Sequence, residues 1–392
     1  MCAIFGIIGK SNLNLIKNMS NIQKFRGPDK QSFFNCENGF LTMGNNRLSV
    51  IDAKNGDQPM FSSDGRFVVV FNGCIYNFKE IREALIKKKI LFKSYSDTEV
   101  VANAFMEYGA SCFNYFDGMW AISIYDIKEK KIYLSRDYVG QKPLYYTKNK
   151  NYLLFSSQIK GLFEDKDINK IISYDNLKKY HAYSFIPAPD TLYKNIFQVN
   201  PGEYLEINVT NIKVDKKIYW DLESGPDYNQ FFKEEKNSDY LSSFDNLLEQ
   251  FYFADMKPAL TLSGGIDSNI IFNRLNNKKK DLTTYTLGFD NDSFDESKFI
   301  DSSISNCDNK IFKINNETLI DNFKELSKKI TEPNGDSSIL PTYILFNKIK
   351  NNTKVSIGGD GGDESFFGYI TFDAFFIANY VKKIFPKTIL RY

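Results

Sequence analysis

Histidine is all but missing: His181, in KKYHAYSF, is the only one among 392 residues. A Ser-His-Asp or Cys-His mechanism would have to run through it, and nothing beside it resembles a nucleophile site. His181 therefore reads as structural, and any nucleophile in this chain works with another base. Cysteine is sparse as well. The five, Cys2, Cys36, Cys74, Cys112 and Cys307, are odd in number, far apart and free of any CxxC pair. That argues against a disulfide framework or a zinc site and fits a reducing cytoplasm. Long hydrophobic runs are absent too: FVVVF at Phe67–Phe71 is strand-sized, far short of a bilayer span. The opening MCAIFGIIGK has no basic region before it, so no signal peptide is expected. Charge of one sign is also lacking. Fifty Lys and Arg against 48 Asp and Glu leave +2, no electrostatic case for nucleic acid or an anionic membrane surface.

What is present is an ordinary soluble balance, 42% hydrophobic and 25% charged, at a length that suits two or three domains. Cys2–Ile8 and Gly65–Phe71 alternate or run apolar over strand lengths, and Met119–Asp126 and Lys131–Leu134 read as neighbouring strands. Asp97–Tyr108 has helical spacing with Asp97 placed to cap it, and Asp137–Tyr146 reads as a loop. This half suits an α+β fold with much antiparallel sheet. Residues 208–239 turn polar and irregular and are expected to be a linker. After them the rhythm becomes helix, strand, helix, strand. Tyr240–Phe253 is a helix; Ala259–Leu262, Thr283–Phe289, Lys310–Ile314 and Lys354–Ile357 are short strands with helical stretches between, as in a parallel sheet with crossover helices. The expected division is 1–207, linker 208–239, and 240–392.

Cys2 follows the initiator Met, and a small second residue allows that Met to be removed. The mature chain would then begin with a residue carrying both a thiol and a free α-amine. An ordinary thiol, with a pKa near 8.5, is only a few per cent thiolate at neutral pH. An α-amine titrating near 7.7–8.0 can take its proton, as an N-terminal amine does for an N-terminal threonine. This supplies a base without histidine. Residues 1–9 by themselves also suit a buried strand cysteine; the downstream segments decide the weighting.

LTLSGGIDSNII (Leu260–Ile271) runs an apolar strand into a Gly/Ser turn and then a helix-compatible stretch. Glycines let backbone approach phosphate oxygens, and hydroxyls with the amides of a helix N-terminus complete an anion cradle. No GK[ST] follows, so this is not a Walker A loop. SIGGDGGDESFFGY (Ser356–Tyr369) again follows a strand. Its Gly and Asp could suggest calcium, but it lacks the alternating ligands and terminal Glu of an EF-hand.

MCAIFGI, RGPD (Arg26–Asp29), NNRLSVID, QPM, VFNGCIYN, SDTEV, DGMWAISIYD and RDYVGQKPLYY occur in this order over nearly all of residues 1–200. Together they resemble the class II glutamine amidotransferase domain of the glutamine-hydrolysing asparagine synthetases. SGGIDS resembles the PP-loop of ATP pyrophosphatases, which release pyrophosphate and leave AMP on the acceptor, and GGDGGDE resembles that synthetase family's second nucleotide segment. The resemblance implies an N-terminal nucleophile hydrolase-like αββα sandwich followed by an α/β PP-loop domain with a parallel sheet. It implies Cys2 as the nucleophile on glutamine, Asn72 and Gly73 as the oxyanion hole, Arg47 on the substrate's α-carboxylate, and Asp97 on its α-ammonium. For ATP it implies Ser263, Gly264, Gly265, Asp267, Ser268, Gly358 and Gly359, with backbone contacts from Thr261 and Leu287. Asp267 and Asp363 would hold Mg2+, and Asp360 would serve acyl-adenylate formation. FDES (Phe294–Ser297) and TEPNGDSSILPTY (Thr331–Tyr343) also match, the latter near the expected acceptor pocket.

Three positions depart from the pattern: Ala3 and Gly358 stand where the family usually has Gly and Ser, and Cys74 where it has a Glu that helps bind the ammonium. The chain is short at its carboxyl end relative to that family, stopping at Tyr392 soon after GDGGDE. The expected substrates are glutamine, ATP and a carboxylate, aspartate first, with a sugar uronate or other carboxylate as the alternative and a non-catalytic nucleotide-binding remnant as another. A passage carrying ammonia between the domains is expected, and a homodimer is left open.

Overall fold

The computed structural model describes residues 1–222, 240–251, 255, 257–278, 282–291, 295–300 and 307–384. Most of the expected linker, Phe294 of FDES and the last residues of the chain lie outside them. The described chain separates into two units. One holds the residues up to Tyr240 together with Phe253–Met256 and Lys324–Ile339; the other holds the rest of the second half.

In chain order the first unit contains β1 (Ala3–Ile8), α1 (Leu13–Ile22), β2 (Lys30–Asn35), β3 (Leu41–Arg47), β4 (Met60–Phe61), β5 (Phe67–Ile75), α2 (Phe78–Lys87) and α3 (Asp97–Tyr108). Then come β6 (Gly118–Asp126), β7 (Lys131–Arg136), β8 (Tyr145–Lys148), β9 (Leu153–Ser156), α4 (Ile159–Leu162), α5 (Tyr174–Tyr183), β10 (Phe197–Gln198), β11 (Glu203–Asn208) and β12 (Val214–Ile218). They form two six-stranded antiparallel sheets, ordered β10-β8-β9-β1-β3-β2 and β12-β11-β7-β6-β5-β4.

The period of two along each strand explains the layering. On β5, Val68 and Val70 enter a core between the sheets with Ile4, Met43, Ala121 and Leu134. Phe67, Val69 and Phe71 point the other way, into a core with Val100, Val101 and Phe105 of α3 and Ile81 and Leu85 of α2. On β1, Ile4 and Ile8 face the inter-sheet core, whereas Phe5 and Ile7 meet Ile16 and Met19 of α1. FVVVF reads as a continuous apolar run because each of its faces borders a core. Each such Val or Phe contributes about 1.5–3 kcal/mol by leaving water. Helices, two sheets and helices again make the expected αββα sandwich.

Two boundaries move. The N-cap of α3 is Ser96, whose side chain accepts from the Thr98 N–H, so Asp97 is the first helical residue and not the cap. Val214–Ile218, inside the stretch expected to be linker, pairs antiparallel with β11 as an edge strand. Its VDKKI pattern is polar because only one edge and one face meet protein.

The second unit contains α6 (Tyr240–Phe251), β13 (Ala259–Thr261), α7 (Ile266–Lys278), β14 (Thr283–Phe289), β15 (Asp308–Ile314), α8 (Asn316–Ser327), α9 (Ile339–Ile349), β16 (Ser356–Ile357), α10 (Gly362–Phe366) and α11 (Ile370–Ile384). Its four strands are ordered β15-β14-β13-β16, and every pairing is parallel. Strand order proceeds outward from β13 to β14 and β15, then reverses to place β16 on the other side of β13. Between β13 and β16 the crossovers diverge, leaving a crevice at the carboxyl ends of the strands, where open α/β sheets bind ligands.

Candidate active site

Cys2 precedes β1, and its half-buried thiol is held by Leu48: Sγ accepts the Leu48 N–H at 3.3 Å and approaches the Leu48 carbonyl at 3.7 Å. Arg26 Nε donates to the Cys2 carbonyl at 3.0 Å, fixing the residue from its other side. Gly27 beside it admits no side chain, since a Cβ there would collide with the Asn46 carbonyl. RGPD is thus a clamp on the start of the chain. Burial pushes the Cys2 thiol up; the Leu48 N–H, the terminal amine and the Arg47 charge act against that, while Asp97 adds to it. Burial also draws the amine of Met1 down to about 6.

Asn45 links this position to the expected oxyanion hole. Its Nδ2 donates to both the Ala3 and Phe71 carbonyls, each at 3.3 Å, tying the residue after Cys2 to the residue before Asn72 across the two sheets. Asn72 then points a buried amide nitrogen that has no hydrogen-bond partner. A buried orphan donor costs about 1–3 kcal/mol, and a water or a ligand can supply its acceptor. Gly73 follows; a Cβ there would collide with the Met119 carbonyl on β6.

Asp97 is buried, with Oδ2 accepting the Ile75 N–H at 3.2 Å at the end of β5. Burial raises it to about 6 against the pull of backbone N–H groups and Ser96. Cys74, on β5 between Gly73 and Ile75, is pushed far up, by burial first and then by Asp97, so its thiol carries no charge at neutral pH. Arg47 is buried, but its guanidinium is engaged by the 51–57 loop: Nη1 meets Asp57 at 2.9 Å and the Ala53 carbonyl at 3.3 Å, and Nη2 meets the Ile51 and Asp52 carbonyls at 3.1 and 2.7 Å. A substrate carboxylate would share that cation with Asp57. Lys142, only 7% exposed, has its charge felt by Cys2 and Cys74. Arg26 also borders a cavity of about 310 Å³ with Tyr145, Ser157 and Glu332. Burial raises Glu332 to about 7, opposed by the Leu192 N–H it accepts at 2.7 Å. Its segment, TEPNGDSSILPTY, was expected near the acceptor pocket; its first residues belong to the first unit. His181 is exposed on α5 and takes no part in this constellation.

In the second unit, SGGIDS follows β13 and GGDGGDE follows β16, so both loops open into the crevice where strand order reverses. The first loop ties itself: the Ser263 N–H donates to Ser268 Oγ at 3.1 Å, the Gly265 N–H donates to Ser263 Oγ at 3.1 Å, and Asn269 Nδ2 donates to the Ser263 and Gly265 carbonyls at 3.0 and 2.7 Å. Gly264 packs against the Glu296 backbone, within FDES. The second loop lies on the first. A Cβ on Gly359 would come 3.0 Å from Asp267 Cβ and from the Ser268 nitrogen, and one on Gly362 would collide with the Asp267 carboxylate. Thr261 Oγ1 donates to the Ile357 carbonyl at 3.2 Å, and a Cβ on Gly358 would meet that same Oγ1 at 2.7 Å. Leu287 stands two residues past Tyr285, the strand partner of Thr261. Asp360 is exposed, and Asp363 is half-buried with its carboxylate turned toward Gly368. Among the described residues no three His, Cys, Asp or Glu gather as a metal cluster. A nucleotide-borne magnesium takes only one or two carboxylates from the protein, a set that Asp267 and Asp363 fit.

These features define a class: an N-terminal nucleophile-type amidotransferase domain joined to a nucleotide-binding parallel-sheet domain. A family profile described as a glutamine amidotransferase domain matches residues 1–220, and one described as asparagine synthase matches residues 243–386. A Methanocaldococcus jannaschii protein, named provisionally as a glutamine-hydrolysing asparagine synthetase, is 32% identical over 420 residues, covering 99% of this chain and 79% of its own. The glutamine-hydrolysing asparagine synthetase 1 of Bacillus subtilis is 30% identical, covering 94% of this chain, which spans 59% of that relative's length. Among solved structures, an allosteric regulatory enzyme of purine biosynthesis is 17% identical with a TM-score of 0.44, over 69% of this chain and 63% of its own. The chain belongs to the glutamine-hydrolysing asparagine synthetase family, enzymes of the carbon–nitrogen ligase type. No helix among the described residues is long and apolar enough to cross a membrane.

Proposed function

We propose that this protein takes ammonia from glutamine at Cys2 and uses it, with ATP, to convert a carboxylate to an amide, aspartate to asparagine being the leading case. In this reading Met1 is removed and the α-amine of Cys2 takes the thiol proton. The sulfur adds to the glutamine side-chain carbonyl, and the negative oxygen that forms is received by Asn72 Nδ2 and the Gly73 N–H. Collapse expels ammonia, which leaves with the proton the amine had held, and water hydrolyses the thioester to glutamate. Asp97 holds the substrate's ammonium and Arg47 its carboxylate. At the second site the carboxylate displaces pyrophosphate from ATP to give an acyl-AMP; ammonia then displaces AMP. Ser263, Gly264, Gly265, Ser268, Gly358 and Gly359 would cradle the nucleotide with backbone support from Thr261 and Leu287, and Asp360 would serve the adenylation. Asp267 and Asp363 would hold a magnesium ion, which neutralises phosphate charge. Five free cysteines suit a reducing cytoplasm.

The observation that carries this reading is the buried amide of Asn72, unpartnered among the described residues, whose neighbour Phe71 is tied through Asn45 to Ala3, the residue after Cys2. The test is glutamate release from glutamine, followed by pyrophosphate release with a panel that includes aspartate, other amino-acid carboxylates and sugar uronates. Aspartate should give the fastest pyrophosphate release. Release with a uronate alone would replace the acceptor, and release with none would leave a nucleotide-binding remnant. Intact Met1 in a protein that still cleaves glutamine would sink the assignment to Cys2.

A further inference from the structure

Lys142 lies in the loop between β7 and β8, and its backbone is fixed at both ends. Its N–H donates to Asp137 Oδ2 at 3.0 Å, and its carbonyl accepts from Arg136 Nε at 2.8 Å. Asp137 in turn receives the Trp120 and Gln141 N–H groups, so the loop is locked to β6. The side chain of this residue, 7% exposed as a whole, is thereby delivered to the beginning of the chain. Lys142 Nζ lies 3.6 Å from Met1 Sδ, and Arg26 Nη2 lies 3.9 Å from the same sulfur. One thioether separates two cations, and among the described residues Nζ meets no carboxylate within ion-pair distance. Removing Met1 takes the thioether away and leaves a new α-amine on Cys2, the residue whose carbonyl Arg26 Nε already binds at 3.0 Å.

The geometry points to Lys142 as a positioning residue for the proposed glutamine cleavage: together with Arg26, it keeps the α-amine of Cys2 unprotonated and able to receive the thiol's proton. This rests on the amidotransferase reading above. A cation a few Å away in a poorly solvated site disfavours the arrival of a second positive charge, whereas a neutral amine suffers no such repulsion. The groups around the amine of Met1, one residue ahead, are the Cys2 thiol, Arg26, Lys142 and Asp29; those around Lys142 are Arg26, Asp137, Cys74 and Cys2. On that Met1 amine Arg26 and Lys142 act downward, Cys2 and Asp29 oppose them, and burial outweighs each. Burial also lowers Lys142 itself, so its cation is fullest at low pH and its effect falls on the acid limb of the activity profile.

The experiment is the pH dependence of glutaminase kcat/KM for the full-length protein, with removal of Met1 verified by mass. Without the cation the amine holds its proton to higher pH. Lys142→Met should therefore move the acid limb up by about one pH unit, a loss of about tenfold at the foot of that limb with the alkaline plateau within about twofold of wild type. Lys142→Arg, keeping the charge, should hold the limb in place. Should Lys142→Met fail to fold, Lys142→Gln carries the same expectation. An unmoved acid limb overturns the inference, as does an equal loss at every pH or a shift in Lys142→Arg as large as in Lys142→Met. A wild-type protein without glutaminase activity overturns the amidotransferase reading itself, whereas an active wild type indifferent to Lys142 overturns only this role.

Discussion

Asn72 lies within the buried strand β5 with a donor that meets no acceptor among the described residues. Removing one oxyanion donor typically costs 10²–10³ in rate. Asn72→Ala should accordingly lower glutaminase kcat by about 10²–10³ with a smaller change in KM, measured by steady-state glutamate release. In the proposed reading Asp97 sets the pH dependence of glutamine binding. It is an acid raised to about 6 by burial, so its charged form, which the substrate's ammonium needs, is complete above that pH and lost below it. KM for glutamine should rise as pH falls through 6, and a flat KM between pH 5 and 7 would remove Asp97 from the ammonium site. Cys74 brings no charge to help. Cys74→Glu should lower KM for glutamine by about fivefold near pH 8, consistent with a second, charge-assisted contact of about 1 kcal/mol.

Strand β5 serves both cores and the site at once. Its first five residues alternate between two apolar layers, and its last four, Asn72 to Ile75, run along β6 bearing the oxyanion candidates and the Asp97 anchor. The apolar run was plain in the sequence because alternation and burial are local patterns. The cap of α3 was misplaced by one residue because Ser96 and Asp97 are both good caps, and only packing against β5 chose between them. Ser96→Ala should cost about 1 kcal/mol, and thermal unfolding of the first unit should show it as a drop of about 2–4 °C. In the second unit the hydroxyl of Ser268 knots the SGGIDS turn at the head of α7. Ser268→Ala should raise KM for ATP about tenfold, the order expected when 1–1.5 kcal/mol of hydrogen bonding is lost, and leave glutamine cleavage alone. Equal losses in both assays would contradict the assignment of that loop to ATP.

At the scale of the whole molecule, two chemistries stand on two separate units, and the reading requires them to be separable by substitution. Cys2→Ala should abolish glutamine-dependent amide formation, with a fall of at least about 10³ expected for loss of a nucleophile, yet retain pyrophosphate release and amide formation with added ammonium. The division itself was legible in outline from the change of rhythm near residue 240. Its edge was not, because VDKKI is too polar to announce a strand that pairs along one side only.

By itself the sequence determined the family, the apolar strands of the first half such as Phe67–Phe71, the helix–strand alternation of the second, and the two motif-bearing turns. These are written in local periodicity and in short strings whose order survives reading one residue at a time. Only the tertiary structure decided that Arg26 clamps Cys2, that Asn45 ties β1 to β5, and that Lys142 faces the start of the chain. It also decided that SGGIDS and GGDGGDE meet across a reversal in strand order. Each of these depends on which strands become neighbours, and that choice is made by burying many distant apolar faces together, an energy that no single segment carries.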